Sequence, residues 1–268
     1  MLNALVVVWR ESLEALLVIG VLLAWTARQR DPAPLRRGLW WGVALGVLLA
    51  ALLGGATLLA QSQLQGQALD VFRLLVMFGA AALIVQMVLW MRRHGATLRR
   101  ELESRAANAA GARGIALVAA LAVAREGAET VVFLYGIGLE AGAGALVAAA
   151  AGLALAVASA ALIARGARLL SYRLLFRASE VVLLLVAAAL LAAGVDQLIA
   201  MDWLAPLLDP VWDSSALLDD SAGLGRLLAD FIGYRARPSA TLLMAYAAYW
   251  ALAAALLAAT RCPRPAAR

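Results

Sequence analysis

The sequence has almost none of the residues that hold soft metals or form disulfides. Among its 268 residues there is one cysteine, Cys262, and one histidine, His94. One cysteine excludes an internal disulfide framework and any zinc site built on several cysteines. His94 falls in an arginine-rich stretch, where we expect a solvated loop residue, and it leaves no histidine for a His-rich site. Copper and zinc are therefore disfavoured, as is a di-iron bundle, which needs Glu-x-x-His pairs.

Charge is also scarce, and lysine is absent. Charged residues make up 15% of the chain and hydrophobic residues 65%, whereas soluble domains are roughly 45–50% apolar. The excess indicates that lipid is the solvent, so we predict an all-α integral membrane protein forming a single transmembrane domain, 1–268. A helix needs about 20 apolar residues to cross the hydrocarbon core. Seven runs qualify as transmembrane helices: 3–27, 38–60, 71–91, 114–138, 143–164, 178–200 and 239–260.

The arginines predict how these helices are oriented. Seventeen of the 23 arginines fall in the first, third and fifth loops and the C-terminal tail. Because basic residues accumulate on the cytoplasmic side, we expect the N-terminus outside and the C-terminus in the cytoplasm. No basic region precedes the first apolar run, so a cleaved signal peptide is not expected. Membrane orientation accounts for the basic excess, and no nucleic-acid partner is needed.

The sixth connection, about 196–238, is predicted to face outside. It holds seven aspartates against three arginines. Two interpretations stay open: a solvated acidic loop, or a vestibule whose negative charge raises the local cation concentration. Its segment "GLGRLLADFIG" has apolar residues at helical spacing, which is typical of a helix lying on a membrane surface.

One charged motif occurs twice inside apolar runs. "VVVWRESLEALLVIG" carries Arg10, Glu11 and Glu14, and "LAVAREGAETVVFLYG" carries Arg125, Glu126 and Glu129. The motifs lie in the first and fourth predicted helices, so three-helix units, about 1–91 and 114–200, would cross the membrane in opposite senses. Inverted repeats of this kind are typical of transporters, with the substrate site near the midplane. The seventh helix, about 239–260, lies outside the repeat.

Helix geometry places each motif on one face. At about 100° per residue, Glu11 lies about 100° and Glu14 about 40° from Arg10. Charges facing lipid are costly, so the motifs are expected to face inward, where four carboxylates and two arginines leave a net charge of −2. Paired carboxylates form an oxygen cage suited to a hard cation. We therefore predict Glu11, Glu14, Glu126 and Glu129 as metal ligands and Arg10 and Arg125 as charge-balancing residues.

A structural alternative is that the motifs are ion-pair staples. Arg10–Glu14 and Arg125–Glu129 have the i,i+4 spacing of helical ion pairs. That interpretation leaves Glu11 and Glu126 without partners. It predicts that Glu11→Gln harms folding more than transport.

Other polar residues within the spans are secondary candidates. Glu180, Gln86 and Asp196 are candidates for an ion path. Glu180 alternatively pairs with Arg177, and Gln86 alternatively makes an interhelical hydrogen bond. Gly42 and Gly46 form a small-xxx-small pattern, which predicts close helix contact.

"RESLE" at 10–14 and "REGAE" at 125–129 resemble the two Arg-Glu-Gly-Leu-Glu signatures of the high-affinity, oxidase-dependent iron permeases, and the layout is similar to the bacterial EfeU-type branch. Ser12 stands for the usual glycine and Ala128 for the usual leucine. The resemblance implies a seven-span fold, iron binding by Glu11, Glu14, Glu126 and Glu129, and essential roles for Arg10 and Arg125. It also implies a location in the cytoplasmic (inner) membrane of a bacterium and a periplasmic partner that binds or oxidises iron.

The function expected from residues and resemblance together is transport of Fe3+ or Fe2+ into the cell, with iron as substrate, no tightly bound cofactor and no enzymatic activity. No Walker motif points to ATP use. The alternatives are transport of manganese or lead, or a membrane-embedded carboxylate metalloprotein.

Overall fold

The protein is described here by a computed structural model covering residues 2–94, 97–109, 111–137, 143–164 and 172–260. Every regular element in these ranges is a helix. The helices are α1 Leu2–Thr26, α2 Pro32–Gln63, α3 Gln67–His94, α4 Leu98–Asn108, α5 Gly111–Gly136, α6 Ala143–Ala164, α7 Tyr172–Ala200, α8 Gly223–Ile232 and α9 Ala240–Ala259. Cys262 lies outside the described residues.

Five of these helices are long and apolar enough to cross a membrane: Pro32–Gln63, Gln67–His94, Leu146–Ala164, Arg177–Ala200 and Ala240–Ala259. Helices α1 and α5 are comparably long, with 25 and 26 residues, but carry the charged motifs. In lipid a helix satisfies its own backbone hydrogen bonds, which explains why apolar runs adopt this form. The prediction of an all-α membrane protein is confirmed, whereas seven crossings in two inverted repeats stay a prediction.

The chain forms two compact units, of which the first contains Met1–Gln65 and Ala96–Ser179. Its closest packing joins α2 to α5. A Cβ atom added to Gly38 would lie 2.2 Å from the carbonyl oxygen of Ala112, and one added to Gly42 would lie 2.2 Å from that of Ala116. Gly46 continues this seam against α5. The predicted close contact at Gly42 and Gly46 is therefore confirmed, and α2 and α5 run parallel because the facing residue numbers rise together.

Helix α1 packs against α5 and α6 in the same unit. A Cβ on Gly152 of α6 would lie 2.7 Å from the carbonyl oxygen of Leu5. The indole nitrogen of Trp9 donates a hydrogen bond to Ser159 Oγ on α6 (3.1 Å). Trp9 immediately precedes the first motif, so this bond holds α1 close to its charged residues.

Helix α4 was not predicted. It places Leu102 and Ala106 in a buried cluster with Leu22 of α1 and Ile115 of α5. Arg28 pairs with Glu103 at 2.8 Å on the exposed side. Helix α4 is thus anchored to both motif helices, in a region predicted to be a loop.

The second unit, Gly66–Gly95 and Glu180–Arg268, contains α3, α8, α9 and most of α7. The Tyr249 hydroxyl of α9 donates to the carbonyl oxygen of Leu184 on α7 (2.8 Å). His94 is half-buried at the end of α3 and its ring stacks on Trp90, with 5.3 Å between centroids. The prediction of a solvated loop histidine was wrong, because the helix continues to this residue.

The connection between α7 and α9 is organised by its aspartates. Asp196 pairs with Arg235 (2.6 Å) and Asp213 with Arg237 (3.0 Å). Asp220 accepts a hydrogen bond from the backbone of Ala236 (3.0 Å). The helix expected in "GLGRLLADFIG" is present as α8, and its location on a membrane surface stays a prediction. Several of these acids therefore hold the connection together, which neither interpretation of the acidic loop anticipated.

Candidate functional site

The first motif is almost completely buried. The side chains of Arg10 and Glu11 are 3% and 1% exposed, and Arg10 Nη1 lies 2.8 Å from Glu11 Oε1. The other terminal nitrogen, Nη2, lies 2.6 Å from Glu14 Oε1. Arg10 therefore pairs with both glutamates of its motif, although i,i+4 spacing predicted only Glu14. A long guanidinium can span this separation because its nitrogens form a fork.

The second motif is more open. Arg125 Nε lies 2.9 Å from Glu129 Oε1 and 3.9 Å from Glu126 Oε1, and the Arg125 side chain is 49% exposed. Glu126 itself is buried. The two arginines therefore differ: one is enclosed between its carboxylates, and the other is accessible.

Three of the four predicted ligands converge. One carboxylate oxygen from each of Glu11, Glu126 and Glu129 lies within 4.8 Å of the other two. Glu14 is not part of this group, and its carboxylate pairs with Arg10. The structure thus brings both motifs to one place, while the ligand role of each glutamate stays a prediction.

This cluster has oxygens available for a cation. The Oε2 atoms of Glu11, Glu126 and Glu129 are buried and have no hydrogen-bond partner among the described residues. Ligand oxygens on opposite sides of one hard cation are separated by about twice the 2.0–2.6 Å metal–oxygen bond. A group of oxygens within 4.8 Å of one another is compatible with that spacing, and its all-oxygen chemistry suits a hard cation.

Close packing of α2 on α5 positions the second motif. A Cβ on Gly127, inside this motif, would lie 2.4 Å from Cβ of Ala50 on α2. Ala50 and Ser159 were missed by sequence reasoning. The sequence feature that could have indicated the Ala50 contact is Gly127, the glycine between Glu126 and Glu129. The feature that could have indicated Ser159 is its hydroxyl group within the apolar run of α6.

The secondary candidates all belong to the other compact unit. Glu180 forms an ion pair with Arg92 of α3, so the expected Arg177 partner was wrong. Asp196 pairs with Arg235. Gln86 is exposed on α3. Their part in an ion path stays a prediction.

Apolar helices that enclose paired carboxylates and arginines define a multi-pass membrane protein of the cation-transporting class. A model of the iron permease FTR1 family matches residues 1–261, and the chain belongs to that family. It is therefore an iron permease, with iron ion as the transported substrate.

Curated relatives cover most of the chain. The ferrous iron permease EfeU of Yersinia pestis is 29% identical over 254 residues, 91% of this chain and 88% of the relative. The protein of that name from Escherichia coli O6:H1 (strain CFT073) is 29% identical over 249 residues, 87% of this chain and 86% of the relative. An uncharacterised protein of Archaeoglobus fulgidus is 29% identical over 244 residues, covering 88% and 87%. No solved structure matches the chain.

Proposed function

We propose that iron crosses the membrane through a site built from Glu11, Glu126 and Glu129. Glu14 is paired with Arg10 and does not bind the ion at first. The observation that carries this proposal is the convergence of the three carboxylates within 4.8 Å. Their unpartnered Oε2 atoms are the donors expected to meet the ion. Glu14 becomes a fourth donor when Arg10 releases it.

The two arginines have different roles in this proposal. Arg10, enclosed between Glu11 and Glu14, supplies a fixed positive charge that keeps the site from binding iron too tightly for release. Arg125 is half exposed and touches Glu129 and Glu126 from an accessible side. Entry of a cation on that side would compete with Arg125 for the same carboxylates.

We further propose the predicted topology: seven crossings in two inverted repeats, the N-terminus outside and iron moving into the cytoplasm. Reciprocal packing supports the repeats, because the second helix of each packs against the motif helix of the other, α2 on α5 and α6 on α1. Alternating access by rocking about such repeats is the expected mechanism. A periplasmic iron-binding or iron-oxidising partner stays a prediction.

Two considerations bear on which oxidation state of iron to test. The EfeU relatives are named ferrous iron permeases, which makes Fe2+ the first form to test. Carboxylates also suit Fe3+, so both forms belong in the assay. Manganese and lead are the competitors that test the alternative substrates.

The experiment is uptake of radioactive iron by proteoliposomes containing Glu11→Gln, Glu126→Gln, Glu129→Gln or Glu14→Gln. We expect at least tenfold loss for the first three and a smaller loss for Glu14→Gln. The matched control is Glu103→Gln, which removes a half-buried carboxylate on α4 outside the motifs and should leave uptake unchanged. Full uptake with lowered thermal stability in the first three variants would show that the motifs are staples.

A further inference from the structure

A cavity of about 520 Å3 lies in the first unit, between the first turns of α2 and α5. Its wall includes Arg37 and Asp31 from the start of α2, Arg113 from the start of α5, and Trp41 one turn further along α2. Close contact at Gly38 and Ala112 brings the two helix ends side by side and forms the floor. On the predicted topology this end of the helices is cytoplasmic.

The basic side chains of the cavity make no ion pair among the described residues. Arg37 and Arg113 are exposed, and no ion pair or hydrogen bond to another described residue engages either guanidinium. Asp31 is the one acidic residue among the described residues of the wall. These residues together therefore carry a net charge of +1, which matches one singly charged anion.

Two apolar stripes lead from these arginines towards the middle of the helices. On α2 the stripe consists of Trp41, Leu45, Leu48 and Leu52, all exposed, with Trp41 77% exposed. On α5, Leu117 and Leu121 follow Arg113 at four-residue spacing and are also exposed. Residues three and four apart share a helix face, so each arginine lies at the N-terminal end of an apolar stripe. Because α2 and α5 are parallel and packed, both stripes begin at the same cavity.

We propose that this cavity binds an anionic phospholipid with a hydroxyl-bearing headgroup, of the phosphatidylglycerol type. Arg37 and Arg113 bind the phosphodiester, and Asp31 accepts a hydrogen bond from a headgroup hydroxyl. Two acyl chains lie along the two stripes, with Trp41 at the depth where aromatic rings are favoured. Basic pockets between helices on the cytoplasmic side are suited to anionic headgroups. A soluble phosphate would use the arginines but not the stripes, which is why a lipid is favoured.

This lipid would brace α2 against α5, the helix that carries Glu126 and Glu129. The site does not depend on the iron-binding residues. Its test measures bound lipid rather than uptake, so failure of the iron-site proposal leaves it unaffected.

The test is native mass spectrometry of the full chain in detergent with phosphatidylglycerol, phosphatidylethanolamine or phosphatidylcholine added. One arginine near a membrane surface contributes about fivefold to binding of an anionic lipid. We expect the double variant Arg37→Gln/Arg113→Gln to retain phosphatidylglycerol roughly 25-fold less well than the wild type. The matched control is Arg36→Gln, an exposed neighbour outside the cavity wall, with retention within about twofold of the wild type. Each single variant, expected about fivefold weaker, serves if the double variant is not recovered folded.

Three results would overturn the proposal. The first is wild-type retention of phosphatidylglycerol in the arginine variants. The second is equal retention of phosphatidylcholine or phosphatidylethanolamine, which would remove the role of net anionic charge. The third is displacement of the lipid by equimolar inorganic phosphate, which would identify a soluble-anion site.

Discussion

Gly127 on α5 packs so closely against Ala50 on α2 that a methyl group on Gly127 would lie 2.4 Å from the Ala50 Cβ. Gly127 separates Glu126 from Glu129, so this contact sets the distance between α2 and the second motif. Overpacking a tight contact costs about 1–3 kcal/mol. We expect Gly127→Ala to lower both thermal stability and iron uptake.

A second substitution tests whether the steric clash is the cause. Adding Ala50→Gly removes the obstructing methyl group and should recover most of the uptake lost in Gly127→Ala. Gly55→Ala is the control, since a Cβ there meets nothing within 4 Å. Unchanged uptake and stability in Gly127→Ala would show that α2 yields at this point and does not position the motif.

The enclosed arginine should matter more for stability than the accessible one. Removing one partner of a buried ion pair costs about 3–5 kcal/mol, and Arg10→Gln would leave Glu11 and Glu14 without their cation. Arg125→Gln should cost less, because half of this side chain lies outside the packed interior. Thermal unfolding in detergent measures both, with Arg28→Gln as the exposed-pair control. Equal losses at positions 10 and 125 would contradict the asymmetry of the site.

Helix α4 should act as a structural anchor rather than a surface appendage. Leu102 is buried among residues of α1 and α5, and replacing a buried leucine by alanine costs about 2–5 kcal/mol. We expect Leu102→Ala to lower the unfolding temperature, whereas Ser104→Ala on the exposed side should not. Identical unfolding of the two variants would mean that α4 is not docked.

The α7–α9 connection should loosen at acidic pH. The Ser215 hydroxyl and amide, which donate to Asp213 (2.6 and 3.0 Å), together with Arg237, lower the pKa of Asp213 from 3.8 to about 2. Because the folded pKa is below the unfolded value, this stabilisation is complete above about pH 4 and disappears as pH falls through 2. Hydrogen exchange at the Ser215 amide should therefore lose protection between pH 4 and pH 2.

The matching variant is Asp213→Asn, which cannot ionise and should make Ser215 protection independent of pH in that range. Asp202→Asn, on the same connection, should retain the wild-type profile. A pH profile that is the same in Asp213→Asn and wild type would assign the transition to another group.

Local patterns in the sequence were sufficient for much of the fold. Long apolar runs predicted the long helices, and the spacing of Gly42 and Gly46 predicted their close contact. Helix α4 was missed because Leu102 and Ala106 are the only buried residues among its described side chains, too few to produce a clear periodic signal. Its arginines and glutamates also made it resemble a solvated loop.

The candidate site was also predicted in part from local sequence patterns. The helical spacing of Glu11 and Glu14 placed both on one face, but it could not show that Glu11 would join Glu126 and Glu129 while Glu14 would not. That outcome depends on how α1 meets α5 and on which rotamers the two glutamates adopt. Similarly, Glu180 pairs with Arg92, which is 88 residues away in the chain, and spacing along one helix favoured Arg177.

The seam between α2 and α5 has a mechanical consequence. Gly38, Gly42 and Gly46 face Ala112, Ala116 and Ala120, and each pair differs by the same number of residues. Because these contacts repeat every four residues, the next equivalent packing position is about 6 Å along the helix axis. Smaller translations of α2 along α5 would bring each glycine against a side chain. We therefore expect α2 and α5 to move together. In the proposed alternating-access mechanism, a movement of Glu126 and Glu129 relative to Glu11 would include α2.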